Sequence, residues 1–279
     1  CTITSYQKID SAVGYWDESI DQSTDTFKIG FDGAEWNKNS LVEQEKVIDY
    51  KQISIWRYEY KYFVSQAELI ALRSILSFMM THDNGGVNDR SYQVNSLYFD
   101  NIDREDELEK MSGIKSRKKI RLRYYGDFST FKLEVKYRND LLVNKKSVII
   151  DYESAKQLVK GNMPEVVGDS LKPYLSVISA EGRKPLVIVS YDREAYILPY
   201  NNIRITFDTN VSCMGSNTNI FANNVKMPVF LDNRQIFYLK FNHFLPMYIK
   251  NALSSVISER FAISKYAYSL RFSKNQQWE

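Results

Sequence analysis

Cysteine, histidine and long apolar runs are scarce in this chain, and each scarcity closes off a class of chemistry. Only Cys1 and Cys213 occur among 279 residues. Two thiols without a CxxC pair support neither a disulfide framework nor a thiolate metal site, and they suit a reducing compartment. Cys1, standing where an initiator Met is expected, reads as an artificial start of the chain or as the lipidated first residue of a processed lipoprotein. His82 and His243 stand alone, outside any metal-ligand spacing, and read as structural. The sequence contains neither GxSxG nor a P-loop pattern, so no Ser nucleophile elbow and no glycine-rich phosphate cradle is suggested. No apolar run approaches the ~18 residues of a membrane span. The nearest, from Ala71 to Met80, is interrupted by Arg73 and Ser74.

What the chain has in quantity is aromatic residues and charge. Aromatics make up 14%, with 20 Tyr, which suits a strand-rich fold. Hydrophobic content of 44% and charged content of 25% are those of an ordinary globular protein. The net charge of +3 hides an uneven distribution. Residues 1–52 carry 5 Lys and no Arg against 10 acidic residues. Residues 53–279 carry 32 basic against 24 acidic side chains. The first segment therefore reads as an acidic accessory segment or a loosely ordered extension, and the second as the main body, with a mild preference for an anionic partner.

Local signals in the body alternate between strand and helix. A strand is expected over Trp56–Val64. Ser65 and Glu68 form a capping box opening an amphipathic helix to about Met80. Asp83-Asn84-Gly85-Gly86 reads as a turn. Strands follow at Tyr92–Phe99, Lys118–Tyr125, Thr130–Arg138 and Val143–Asp151, with a short helix at Arg104–Met111 and a hairpin signal at Gly126-Asp127. Helices are expected at Glu153–Val159 and Ser170–Ala180, then strands at Leu186–Leu198, Ile203–Val211, Lys226–Leu231 and Gln235–Phe241. The C-terminus reads as helical from Pro246. Strands that are mostly neighbours in sequence imply an antiparallel sheet and an α+β class.

Three segments place basic residues at even spacing, which on a strand means on one face. They are Arg57-Tyr58-Glu59-Tyr60-Lys61, Lys119-Ile120-Arg121-Leu122-Arg123 and Lys132-Leu133-Glu134-Val135-Lys136-Tyr137-Arg138. Strands around Arg193, Arg204 and Lys240 add one each. Like charges on neighbouring strands repel unless an anion lies between them. Arg, with its planar fork, suits phosphate oxygens. An open sheet facing water and a sheet closed around a solvated interior both satisfy this pattern. Most aromatics alternate onto the opposite face, which disfavours a single-stranded nucleic acid as partner.

Seven motifs occur in order: Arg57-Tyr58-Glu59-Tyr60-Lys61-Tyr62, Ser96-Leu97-Tyr98-Phe99-Asp100, Lys119 to Tyr125, Leu133 to Arg138, Ser190-Tyr191-Asp192-Arg193, Arg204 to Asp208, and Ser264-Lys265-Tyr266. Together they resemble the VTC domain, the polyphosphate polymerase domain of the vacuolar transporter chaperone complex and its bacterial relatives, over residues 53–270. The resemblance implies a triphosphate tunnel metalloenzyme fold: a closed antiparallel β-barrel of about eight strands with flanking helices and a lumen lined by Lys, Arg and Glu.

The resemblance also implies an activity, the transfer of the γ-phosphate of ATP to a growing polyphosphate chain with Mn²⁺ or Mg²⁺. ATP and polyphosphate would be the partners, in the cytoplasm, with association to a membrane through a partner protein left open. The family's lumenal positions fall on Lys61, Arg121, Arg123, Lys136, Arg193, Arg204 and Lys265, with Ser264 beside the last. Lys146, Lys240 and Arg138 are assigned as further phosphate-binding positions, and Lys110 as another basic position. The family's metal-binding Glu falls on Tyr238, a poor ligand for Mg²⁺ or Mn²⁺. Glu59 and Glu134 are left as metal candidates, with charge balance for neighbouring cations as their alternative role. Ala262 stands where some members carry a further Lys. Three activities remain open on these residues: the polymerase, a polyphosphate-binding module without turnover, and a tunnel-type triphosphatase.

Overall fold

The computed structural model describes residues 56–83, 90–125, 128, 130–165, 167–222, 225–257 and 259–275, together with four short strands before them. The chain divides into two compact units, Cys1–Ile53 and Ser54–Glu279. In the first, β1 (Gln7–Ile9) pairs antiparallel with β2 (Ala12–Gly14), and β3 (Thr26–Lys28) with β4 (Glu35–Asn37). The rest of that unit, with the Asn84-Gly85-Gly86 turn and the Gly126-Asp127 hairpin, lies outside the described residues.

The second unit is built on a ring of strands. Its members are β5 (Arg57–Val64), β7 (Tyr92–Asp100), β8 (Ser116–Tyr124), β9 (Phe131–Asn139), β10 (Leu142–Ile150), β11 (Lys184–Leu198), β12 (Ile203–Cys213) and β14 (Gln235–Phe241). They pair antiparallel in the order β12-β14-β5-β10-β9-β8-β7-β11, and β11 pairs with β12 to close the circle. Two short strands, β6 (Thr81–His82) and β13 (Met227–Pro228), extend β11 and β12 at their margins. The expected strand at Lys226–Leu231 thus shrinks to two residues, since Pro228 cannot donate to a ladder. Closure decides between the two sheet readings: the charged faces look into an interior.

The ring is not equally tight all round. β5 and β10 share only two residue pairs, Leu142↔Tyr58 and Val143↔Arg57. Below them the edge of β5 is met by a segment near the C-terminus. The amide of Phe261 donates to the Lys61 carbonyl at 2.9 Å, and Lys61 Nζ donates to the Ile263 carbonyl at 2.6 Å.

Six α-helices complete the unit among the described residues. The first, α1 (Gln66–Met79), opens on the capping box: Ser65 Oγ accepts from the Glu68 amide while the Glu68 carboxylate accepts from the Ser65 amide. Its buried face, Leu69, Leu72 and Leu76, packs with Ile249 and Leu253 of α5 (Met247–Ser254) over Tyr58, Tyr60, Tyr62 and Phe207 on the outside of the ring. On the opposite flank, α3 (Tyr152–Val159) and α4 (Lys172–Ala180) cover Leu97, Phe99, Ile120, Leu122, Leu133 and Val135. The short α2 (Glu105–Met111) contacts β8.

The C-terminal helix expected from Pro246 is two helices. The hydroxyls of Ser254 and Ser255 turn back onto the carbonyls of Asn251 and Ala252, an alternative to helix propagation. A new start then forms where Ser264 Oγ accepts from the Ala267 amide, opening α6 (Lys265–Asn275). This last helix does not lie on the outside. Ile263, Tyr266 and Leu270 pack against Val94, Val187, Val189, Val211 and Ile236, which alternate with outward-facing residues and so point inward. One end of the barrel's interior is therefore filled by α6. Among the described residues no helix is long and apolar enough to cross a membrane.

Candidate functional site

The remaining interior is a charged chamber, and its construction is clearest on β8 and β9. Their register sets Arg117 opposite Arg138, Lys119 opposite Lys136, Arg121 opposite Glu134 and Arg123 opposite Lys132. Three of these four rungs oppose like charges, an arrangement that costs stability unless counter-charge arrives from elsewhere. The hairpin between β9 and β10 continues the pattern. With Asp140 in a left-handed conformation at the turn, Leu142 falls opposite Asn139 and Lys145 opposite Lys136. Lys145 therefore faces the chamber. Lys146, expected there from alternation, falls opposite the outward-facing Val135 and so projects from the outer face of the ring. Two adjacent lysines leave the face ambiguous in the sequence; the tight turn fixes it.

Three buried carboxylates organise the cations. Both oxygens of Glu59 on β5 accept from Lys136 Nζ, at 2.7 and 2.8 Å, with Lys61 at 3.4 Å and Lys240 at 3.6 Å. Glu134 on β9 is held by Arg121 at 2.6 and 2.8 Å, by Lys145 at 2.6 Å and by Arg123 at 3.8 Å. Asp208 on β12 takes a bidentate fork from Arg193, at 2.7 and 2.8 Å, and a further bond from Lys265 of α6. Burial alone would push each carboxyl up, but these cations outweigh it and hold all three well below the usual carboxylate range. Glu59 and Glu134 thus act as counter-charges.

Cations outnumber these anions. Lys61, Lys119, Arg121, Arg123, Lys132, Lys136, Lys145, Arg193, Arg204, Lys240 and Lys265 project from seven strands and α6 against Glu59, Glu134, Asp208 and the buried Asp100, which accepts from the Tyr266 hydroxyl. The excess shows in the ammonium groups. Burial lowers Lys61 and Lys240 to about 7 despite the nearness of Glu59. Arg204, half-buried, is bound to Asp83 at 2.7 Å and donates to the Tyr92 hydroxyl at 3.3 Å. Several polar atoms of inward-pointing residues are buried without a protein partner: Arg123 Nε, Thr206 Oγ1 and Ser96 Oγ. Such groups ask for a ligand or water.

Tyrosines fill the gaps between the cations, which the sequence pattern does not indicate. Lys265 Nζ lies 3.6 Å from the Tyr191 ring centre and 4.7 Å from that of Tyr238; Lys61 lies 5.5 Å from Tyr238. Lys119 stacks at 4.2 Å on Tyr266 of α6. Arg123 Nη2 donates to the Tyr191 hydroxyl at 2.8 Å. Burial would raise the Tyr191 phenol, but Arg123, Arg193 and Lys265 outweigh it and bring it to about 7. Tyr238 is raised well above its ordinary value by burial and by the carboxylates of Asp208 and Glu59, so it stays neutral.

The structure thus brings together Lys61, Arg121, Arg123, Lys136, Arg193, Arg204, Lys240 and Lys265 with Glu59 and Glu134. Ser264 sits at the start of α6 as a helix cap. Arg138 lies at the far rim of the chamber, its Nε donating to the Asp140 carbonyl at 2.7 Å. His82 packs edge-on against Tyr196 at 5.2 Å, away from the chamber. Lys145, Lys119, Asp208 and Tyr191 also belong to the site, and the sequence reading does not single them out as site residues. For Asp208 a signal is present, since it sits at even spacing from Arg204.

The donor set does not fit a divalent cation as it stands. Glu59, Glu134 and Asp208 are each already engaged by at least two cationic side chains. Among the described residues no group of three His, Cys, Asp or Glu side chains is placed to hold a metal.

Comparisons with known proteins agree in kind. The family model described as the VTC domain matches residues 56–274. No curated protein matches the sequence. Among solved structures, a Hippeastrum protein described as having a dominant triphosphatase activity is 13% identical with a TM-score of 0.45, covering 78% of this chain and 95% of that one. A Bacillus halodurans protein is 12% identical with a TM-score of 0.42, covering 77% of this chain and 90% of that one. The Mimivirus capping enzyme triphosphatase is 8% identical with a TM-score of 0.36, covering 80% and 97%. Likenesses at this level add nothing to what the strand pairings already define.

Proposed function

The chain belongs to the VTC domain family, and from that premise we propose that its chamber binds triphosphate and polyphosphate and transfers the γ-phosphate of ATP to a growing polyphosphate chain. The observation that carries this reading is the convergence of cations from around a closed barrel onto a space whose buried carboxylates offset only part of their charge. A string of phosphates supplies the missing negative charge at short, regular spacing.

Phosphoryl transfer asks mainly for alignment and charge stabilisation, and this site offers both. Arg121, Arg123 and Arg193 are held in fixed orientation by Glu134 and Asp208, so their forks need no reorganisation when charge develops on the transferred group. Removing one such donor from a working site costs on the order of 10²–10³ in rate. Lys265, anchored by Asp208 and two tyrosine rings, presents its ammonium from α6 at the closed end. The acceptor is the terminal phosphate of the chain, so no Ser, Cys or His nucleophile is required. Mn²⁺ or Mg²⁺ dependence follows from the family resemblance; because these side chains do not fit a metal as arranged, no step is assigned to one.

A second reading is favoured by one residue. Tyr238 is a neutral phenol among Lys61, Lys240 and Lys265, where a carboxylate is expected. The chamber would then bind polyphosphate without turning it over. Incubation with ATP and Mn²⁺, followed by a polyphosphate-stained gel, separates the two. Long chains are expected from the polymerase, binding without product from the module, and free phosphate from tripolyphosphate from a hydrolase. In a silent wild type, Tyr238→Glu restores synthesis if the phenol is the cause; continued silence with intact binding would discard that explanation.

A further inference from the structure

The charged interior does not end at the chamber. Along β8 the inward positions run Arg123, Arg121, Lys119, Arg117, at a strand rise of about 3.3 Å per residue. The series ends at Arg117, one residue from the start of β8, and its cross-strand partner is Arg138. Two further cations join them there from other elements. Lys110 comes from α2 and Arg271 from α6, and these two helices contact one another. Burial lowers the Lys110 amine, and Arg117, Arg138 and Arg271 lower it further. Burial and then Arg138 lower the Arg117 guanidinium, with Glu109 opposing.

Little compensates this cluster. Arg117 is satisfied by the Ile114 carbonyl and Arg138 by the Asp140 carbonyl, both neutral acceptors. Arg271 alone of the four forms an ion pair, with Glu107 at 3.5 Å, while Glu109 is close enough to act on Arg117. Among the described residues no carboxylate forms an ion pair with Lys110, Arg117 or Arg138. Inside the chamber each cationic crowd shares a buried carboxylate; here the buried Glu107 pairs with Arg271 and leaves the other three without an ion pair. Four half-buried or exposed cations gathered from two strands and two helices around one paired carboxylate are built for an anion that arrives from outside the fold.

We propose that Lys110, Arg117, Arg138 and Arg271 form a second polyphosphate-binding subsite, occupied only by chains long enough to extend past the chamber. This rests on the chamber binding phosphates in the first place. A short ligand such as tripolyphosphate fits among the chamber cations and does not reach the rim. A long linear polyphosphate follows the β8 series and is gripped at both ends. The subsite therefore raises affinity for the growing chain over that for short phosphates, and keeps product bound between additions.

The test compares tripolyphosphate with long-chain linear polyphosphate on the full chain carrying Lys110→Ala, Arg117→Ala and Arg271→Ala together. Long-chain affinity is expected to fall at least about tenfold, and the slope of log K against log salt to shrink by about two units, at about 0.7 for each of the three phosphates no longer neutralised. Tripolyphosphate affinity is expected to stay within about twofold of wild type. Equal retention of both ligands overturns the subsite. So does equal loss of both, which would make these residues supports of the chamber. A wild type that prefers long polyphosphate over a single-stranded RNA of similar charge supports the proposal, and wild-type binding of RNA as tight as polyphosphate overturns it. If the triple variant folds poorly, Lys110→Gln with Arg271→Gln, both nearer the surface, must still show the chain-length-selective loss. A wild type that binds neither phosphate ligand removes the chamber reading itself, a result distinct from every variant outcome.

Discussion

One half of the barrel's interior is packed as a hydrophobic core, whereas the other holds charges that satisfy one another only in part. Single strands cross from one regime to the other. On β11 the inward positions run Val187, Val189, Tyr191, Arg193; on β12 they run Cys213, Val211, then Asp208, Thr206 and Arg204. The valines meet Ile263 and Leu270 beside and within α6. The polar positions meet Lys265 at the start of that same helix. Alternation decides which side chains look inward; position along the strand decides whether they meet a helix or an open space. Fold stability and ligand binding are thereby assigned to different lengths of the same strands.

Asp208 stands on the border, and removing it should break the division most severely. Asp208→Ala leaves Arg193 and Lys265 buried without their counter-charge, and a loss of about 3–5 kcal/mol is expected in urea or thermal unfolding. A loss under about 1 kcal/mol would mean that the two cations find other partners. Leu270→Ala attacks the apolar half alone. It should cost about 2–5 kcal/mol of stability as a core truncation, while leaving tripolyphosphate affinity within about twofold of wild type; a large affinity change would show that α6 packing sets the chamber's geometry.

Arg204→Ala tests the charged half alone. Its partner Asp83 is partly exposed, so stability should move by no more than about 1 kcal/mol. Tripolyphosphate affinity should drop about ten- to a hundredfold, because the ligand forfeits one charge-assisted hydrogen bond. Unchanged affinity would place the ligand elsewhere.

The smallest effect is on pH. In the empty chamber burial holds Lys61 and Lys240 at about 7. An incoming polyanion favours their charged forms and raises both, so binding takes up protons between about 7 and the ordinary Lys value of roughly 10. Affinity should decline as pH rises from about 7 to about 9, and calorimetry in buffers of different ionisation heat should register the uptake. The empty protein shows the opposite sign: with both amines lowered in the fold, the unfolded chain binds more protons in that window, so stability gains with rising pH. Proton release on binding would contradict the assignment.

Much of the fold and of the site is legible in the amino-acid pattern, for identifiable reasons. Period-two spacing on β5, β8 and β9 identifies the charged face, and the capping box at Ser65 and Glu68 locates the start of α1 to the residue. What escapes depends on geometry that has no local signature. Lys146 takes the place of Lys145 in the sequence reading because only a turn conformation separates them. The position of α6 inside the ring cannot be read from its own composition, since an apolar helical face packs equally well on an inner or an outer wall. The lumenal tyrosines are hidden by the majority of aromatics that do lie outside, Tyr58, Tyr60 and Phe241 among them. Tyr191, Tyr238 and Tyr266 turn inward because their strands or helix are phased with the cations there.

The two-residue seam between β5 and β10 has its own consequence. Elsewhere around the cylinder, adjoining strands are zipped by longer ladders, so local unfastening costs least along this line. Next to it the edge of β5 is met by the stretch around Phe261 and Ile263, almost two hundred residues downstream. The strand bordering the weakest line of the cylinder thus takes two of its bonds from a segment far along the chain, and deleting that segment should loosen this side first.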